Sequence, residues 1–151
     1  MFYSIFKMDS EIIQFHTEDI QFDFQYAVTV QNWLQDTAQR EGSDIASLSF
    51  VFCSDSYLHN INVEYLNHDT LTDVITFQYS APESTEIEGD IFISIDRIKE
   101  NAAEFQVTFE QELFRVMVHG TLHLLGYGDK SPEEKALMTE KENFYLKQLK
   151  Y

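Results

Sequence analysis

An α+β domain, with a small mixed β-sheet packed with about five helices, is predicted by three features of the sequence. Strand-like and helix-like segments interleave along the chain, with no internal repeat, linker or low-complexity stretch. Two β-rich segments, ending near residue 77 and starting near residue 89, flank a polar stretch carrying a proline, which reads as an antiparallel hairpin. The helical segments have apolar residues at helical spacing together with recognisable starts and stops.

In chain order, residues 1–9 read as a loose lead-in, and Ile12, Ile13 and Phe15 as a short first strand, with a polar link from Thr17 to Asp23. From Tyr26 to Glu41, the residues Val30, Trp33, Leu34 and Ala38 recur with helical spacing, and Gly42 supplies a stop. Ile45 to Cys53 alternates apolar and small residues, then runs continuously apolar, as a largely buried strand does. Cys53 at its end reads as core packing, since no sequence neighbour supports a nucleophile. Ser54 or Ser56 can cap a helix to about Asn67 with Leu58, Ile61 and Tyr65 on one face. His59 and His68 in this region suit surface or capping roles better than ligation.

Leu71 to Phe77 is rich in β-branched and aromatic residues, so a strand is expected there. Ser80 to Glu88 should form the exposed hairpin loop, and Gly89 to Ile95 the returning strand. Asp96 can cap a helix to about Glu104. Thr108 and Gln111 form a capping box for the next helix, whose apolar positions include Leu113, Val116, Met117 and Leu124. Gly126 should end it in the left-handed conformation. Ser131, Pro132, Glu133 and Glu134 then open a last helix, running to about Leu149, with cap, proline and acids in their favoured places.

Composition bounds the rest. The 151 residues suit one domain, expected over 1–151, and 44% hydrophobic content is that of an ordinary globular chain. Cys53 is the only cysteine, so no disulfide framework exists, as suits a reducing cytoplasm. No apolar run is as long as a membrane span, and the N-terminal segment lacks a signal peptide's basic start and apolar region. A soluble cytoplasmic protein is therefore expected. The formal charge of −16, from 10 basic and 26 acidic residues, disfavours loose electrostatic attraction to DNA, RNA or anionic membrane. RNA work by such a chain depends on a local basic or metal-bearing patch, or on a partner that delivers it.

The stretch His119-Gly-Thr-Leu-His123-Leu-Leu-Gly-Tyr-Gly-Asp129 carries the chemistry. Histidines four residues apart lie one above the other on a helix, where their imidazoles can grip one divalent metal. Asp129 follows Gly126 and Gly128, so the chain can fold back and bring a carboxylate to the pair. Two imidazoles and a carboxylate make an open three-ligand set of the kind catalytic zinc uses, at the end of the helix carrying the pair. One plain alternative is a partly buried, hydrogen-bonded histidine pair with no metal; another is that Asp129 only caps the turn, with His59, His68 or a water completing the site. Zinc proteases of the HExxH type carry Glu after the first His as general base, and here that position is Gly120.

HGTLHLLGYGD closely resembles the signature H-G-x-L-H-L-x-G-Y-D-H of the YbeY family of bacterial endoribonucleases, the rRNA maturation factors. Upstream, Thr72 to Phe77 is similar to that family's T-D-V-L-S-F segment, and Glu88 to Ser94 to its L-G-D-I-x-I-S strand. Ile61 to Tyr65 looks like its L-N-x-x-Y. The resemblance implies a single-domain α+β fold around one Zn2+ per chain. It implies a single-strand-specific endoribonuclease acting in 16S rRNA 3′ end processing and ribosome quality control, with ribosomal RNA and the small ribosomal subunit as partners. His119 and His123 match the first two zinc ligands.

Two positions depart from the family pattern. Asp129 stands where the pattern has the third His, which zinc tolerates because it accepts carboxylate oxygen. Leu66 stands where the pattern has an Arg facing the cleft, which removes a fixed cation for phosphate. Lys130 can replace part of that charge. Asp73 and Asp90 are the candidates for a general base. Two further classes compete with the nuclease reading: a non-catalytic ribosome assembly factor with a structural metal, and a small metalloprotease.

Overall fold

The computed structural model describes residues 12–151, so the expected lead-in at residues 1–9 lies outside the described residues. Strand β1 (Ile13–Thr17) leads to helix α1 (Ala27–Arg40), strand β2 (Asp44–Cys53) and helix α2 (Asp55–Leu66). Strands β3 (Val74–Gln78) and β4 (Glu86–Ser94) come next. Helices α3 (Ile95–Phe105), α4 (Phe109–Leu124) and α5 (Pro132–Leu146) complete the chain. The fold is α+β, with five helices and one four-stranded mixed sheet among the described residues.

The strand order is β1-β2-β4-β3. β2 lies parallel to both β1 and β4, and β3 runs antiparallel to β4. The hairpin expected between 71 and 95 is present, with shifted ends. β4 starts at Glu86 rather than Gly89, because Glu86 and Ile87 pair with Asp44 and Ile45 of β2 beyond the end of β3. β3 starts at Val74 rather than Leu71, whose side chain is exposed. Ile95 belongs to α3, not to the strand, because Ser94 caps that helix by accepting from Arg97 N–H. Asp96, the expected cap, instead accepts from the backbone N–H of Asp55 at 3.0 Å.

Alternation along the strands splits the sheet into two faces. Leu48, Phe50 and Phe52 of β2 and Ile87, Ile91 and Ile93 of β4 face the main core, built with residues of α1, α3, α4 and α5. Each such fully buried side chain contributes about 1.5–3 kcal/mol relative to exposure. On the other face, Cys53 and Ile75 pack with Leu58 and Ile61 of α2, beside Phe77 and Phe92. Cys53 is buried there, its thiol donating to Ile93 O. Burial foremost, then the charge of Asp19, pushes its pKa up to about 12, so it is packing and not a nucleophile.

Gly120 is where α4 meets the sheet. A Cβ there would lie 2.9 Å from Ile91 Cδ1 and 3.3 Å from Thr76 Cγ2. The close approach packs α4 directly against β4 and β3 at this point. Among the described residues no helix is long and apolar enough to cross a membrane.

Candidate metal centre

Helix α4 holds its histidines rigidly because both ends are fixed. At its start, Thr108 accepts from Gln111 N–H while the Gln111 side chain accepts from Thr108 N–H, the reciprocal capping box read from the sequence. At its end, Gly126 takes φ +107°, its N–H donates to His123 O, and the Tyr127 N–H donates to Leu122 O. This is a Schellman arrangement, and it turns the chain back across the helix end. Gly128 then passes directly against the Glu134 carboxylate, where an added Cβ would collide. Glu134 is itself held by the N–H groups of Lys130 and Ser131 in the capping box of α5. Asp129 is thus fixed between the end of one helix and the start of the next.

The result is a tight triangle. His119 Nε2 and His123 Nε2 are 3.0 Å apart, and Asp129 Oδ2 lies 3.4 Å from the first and 3.3 Å from the second. Ligand atoms about 2.0–2.1 Å from a tetrahedral ion sit about 3.3 Å from one another, so the triangle has the size of one tetrahedral face. The three side chains are 22%, 25% and 40% exposed, which leaves a way in from solvent. This group could hold a metal ion.

The other ring nitrogens show why a cation fits. His119 Nδ1 is 2.6 Å from Glu142 Oε2, and His123 Nδ1 is 2.8 Å from Tyr127 O. Both partners are acceptors, so each neutral ring places its proton on Nδ1 and presents a bare lone pair at Nε2. With both rings neutral, three acceptors converge with no donor among them, and a metal ion, or a proton on one ring, resolves that repulsion. Burial acts to lower the His119 pKa. The Glu142 hydrogen bond and charge outweigh it, with Asp129 and Asp73 adding to them, and the pKa is raised.

Glu142 is buried on α5 and also accepts from Arg115 Nη1 at 2.8 Å, while Arg115 Nη2 donates to Asn143 Oδ1. Arg115, His119 and His123 recur every four residues on α4, a spacing that could have flagged Arg115. Nothing in the sequence points to Glu142, which lies 23 residues from His119.

The two candidate bases separate. Asp73 is within electrostatic reach of His119, and its pKa is raised mainly by burial, against its own backbone N–H and the charges of His119 and Arg97. Asp90 pairs across the hairpin with Phe77 and accepts from the Tyr79 hydroxyl, on the α2 face of the sheet, away from α4. The structure therefore does not bring Asp90 to the histidines. His59 bonds to Asp69 at 2.8 Å, and neither His59 nor His68 belongs to the convergent group. Leu66 lines a cleft of about 350 Å³ with Asn62, His68, Thr72 and Thr76. Lys130 is exposed next to Asp129.

Fold and site together define an α+β domain with a three-ligand candidate metal centre at a helix end. The model of the family "Endoribonuclease YbeY" matches residues 12–150, and the chain belongs to the YbeY family. Its relatives include endoribonuclease YbeY of Amoebophilus asiaticus, 47% identical over 89% of this chain and 90% of that protein. The protein of the same name from Flavobacterium psychrophilum is 48% identical over 90% and 95%. Among solved structures, the fold is similar to the solution structure of TM1509 from Thermotoga maritima. That match has a TM-score of 0.63 and 27% identity, and covers 91% of this chain and 88% of the other.

Proposed function

We propose that this chain is a zinc-dependent, single-strand-specific endoribonuclease acting in ribosomal RNA maturation, at the 16S rRNA 3′ end, and in ribosome quality control. Residues 1–151 act as one domain in this reading, in the cytoplasm, on ribosomal RNA and the small subunit. The single observation that carries it is the convergence of three acceptor atoms from His119, His123 and Asp129, with both Nδ1 protons committed elsewhere. Membership of the YbeY family, whose named relatives are endoribonucleases, supports the reaction class.

One Zn2+ held there would supply Lewis acidity toward a phosphoryl oxygen and an acidified water. Glu142 and the Tyr127 carbonyl keep the two rings in the tautomer that leaves Nε2 free. Asp73, with its raised pKa and its reach to His119, is better suited than Asp90 to accept a proton. The net charge of −16 and Leu66 at the cleft leave little to attract RNA from a distance, so delivery by a ribosomal partner fits the chain. Those same two features favour the second reading, an assembly factor with a structural metal. A protease of the HExxH type is disfavoured, because the residue after the first histidine is Gly120, which has no carboxylate to serve as general base.

Incubating purified protein with single-stranded RNA, with and without chelator, tests the reading. Cleavage that chelator abolishes, that zinc restores, and that the His119→Ala/His123→Ala protein lacks supports the enzyme. Metal binding without cleavage supports the assembly factor. Cleavage unchanged in the double variant contradicts the proposal.

A further inference from the structure

Glu41 follows α1, far in sequence from the histidine motif, and its side chain is 12% exposed. One carboxylate oxygen accepts the Tyr127 hydroxyl at 2.5 Å. The other accepts Lys141 Nζ at 3.2 Å and the Tyr145 hydroxyl. Lys141 also stands over the Tyr127 ring, 5.5 Å from its centroid. Burial opposes the charged form of Glu41, yet the three donors hold its pKa below the ordinary carboxylate value, so it stays an acceptor for all of them.

Tyr127 faces two ways. Its hydroxyl is bound by Glu41, and its carbonyl accepts from His123 Nδ1 at 2.8 Å. Two residues further on, Asp129 presents its carboxylate to both histidines. The Schellman bonds fix the backbone at Gly126 and the Tyr127 N–H. Beyond them, the Tyr127 ring packs against the main core beneath Lys141, and its hydroxyl end is held by Glu41.

We propose that Glu41 is a positioning residue for the metal centre: by holding the Tyr127 hydroxyl it fixes the turn that orients His123 and presents Asp129. This rests on the reading of His119, His123 and Asp129 as metal ligands. Outer-shell partners of metal-bound imidazoles typically contribute ten- to hundredfold to affinity, and Glu41 acts one bond further out, so about tenfold is expected. Tyr145 supplies the internal control. It donates to the same carboxylate, but it belongs to α5, and its carbonyl accepts from Trp33 Nε1 rather than from a histidine.

The test is a Co2+ titration of the full chain, read by the visible bands that report ligand geometry, alongside thermal unfolding without metal. Tyr127→Phe and Glu41→Ala should each weaken Co2+ binding about tenfold. The double variant should be no weaker than Glu41→Ala alone, because the two residues act in series. Tyr145→Phe should lower the unfolding temperature while leaving affinity within about twofold, since it deletes only a neutral donor remote from the ligands. Wild-type affinity and bands in Tyr127→Phe overturn the proposal. Equal weakening by Tyr145→Phe also overturns it, because the effect is then general loosening. A wild-type chain that binds no Co2+ overturns the metal reading itself, and the proposal with it. If Glu41→Ala does not fold, the two tyrosine variants decide between these outcomes.

Discussion

His119 Nε2 and His123 Nε2 face each other at 3.0 Å while Glu142 and the Tyr127 carbonyl hold the opposite nitrogens of the two rings. Two lone pairs aimed at one point repel each other unless a positive centre lies between them. The outer hydrogen bonds thus define the site as much as the ligands do.

Glu142→Gln should weaken metal binding by roughly ten- to hundredfold. The carboxylate accepts from both His119 and Arg115. A glutamine has one oxygen, so its NH2 group must face either the imidazole N–H or the guanidinium. Competition against a chelating dye measures this, and wild-type affinity in the variant contradicts it.

Asp129→Ala should weaken metal binding by at least tenfold, while Asp129→His should retain metal. A carboxylate cancels part of the ion's charge, so Asp129→His should also lower the pH at which RNA cleavage rises. Zinc titration and a pH–rate profile check both. Unchanged affinity in Asp129→Ala assigns Asp129 to the turn and not to the metal.

Glu112 offers a pH test of stability at a group that is not itself a ligand. It is buried in the first turn of α4, and burial foremost, then the charge of Asp73, raises its pKa from 4.5 to about 6. Below pH 4.5 the group is protonated in both folded and unfolded chains. Between 4.5 and 6 the unfolded chain gives up the proton first, so stability falls with rising pH, by about 2 kcal/mol at most. Above 6 the loss is complete. Glu112→Gln should therefore be more stable than the wild type at pH 7.5 and no more stable at pH 4. Urea unfolding at the two pH values measures this, and an equal difference at both contradicts it.

Gly120→Ala should destabilise the protein although alanine is the better helix former. The helix gain is about 1 kcal/mol, whereas overpacking typically costs about 1–3 kcal/mol. The new Cβ would meet Ile91 Cδ1 and Cγ2 at 2.9 and 3.0 Å. Adding Ile91→Val, which removes Cδ1, should restore part of the loss in thermal unfolding. A Gly120→Ala protein more stable than the wild type contradicts the close seating of α4.

Much of the fold was legible because its signals are local. Thr108 with Gln111, Ser131 with Glu134, and Gly126 each satisfy groups within a few residues, so the sequence alone marks those helix ends. Ends set by distant partners were not legible. Glu86 joins β4 because β2 is beside it, and Asp96 is drawn off by Asp55 N–H, leaving Ser94 to cap α3. The site divides in the same way. The convergence of His119, His123 and Asp129 arises from helix spacing and a glycine turn. The bonds from Glu142 and Glu41 cross 23 and 86 residues of chain, and no spacing rule reaches them. Asp73 and Asp90 looked alike in sequence, but Asp90 lies within the paired hairpin opposite Phe77 on the α2 face, whereas Asp73 precedes β3 and is not held to that alternation.

Every role proposed for the site requires that His119, His123 and Asp129 hold one metal ion. Elemental analysis of zinc-supplied protein, wild type against His123→Ala, decides whether they do. At neutral pH the wild type should carry about one zinc per chain and His123→Ala far less, with wild-type occupancy falling on acidification because protons compete with the metal for the ligand atoms. Folded wild-type protein that stays metal-free at neutral pH after zinc is supplied would contradict the assignment.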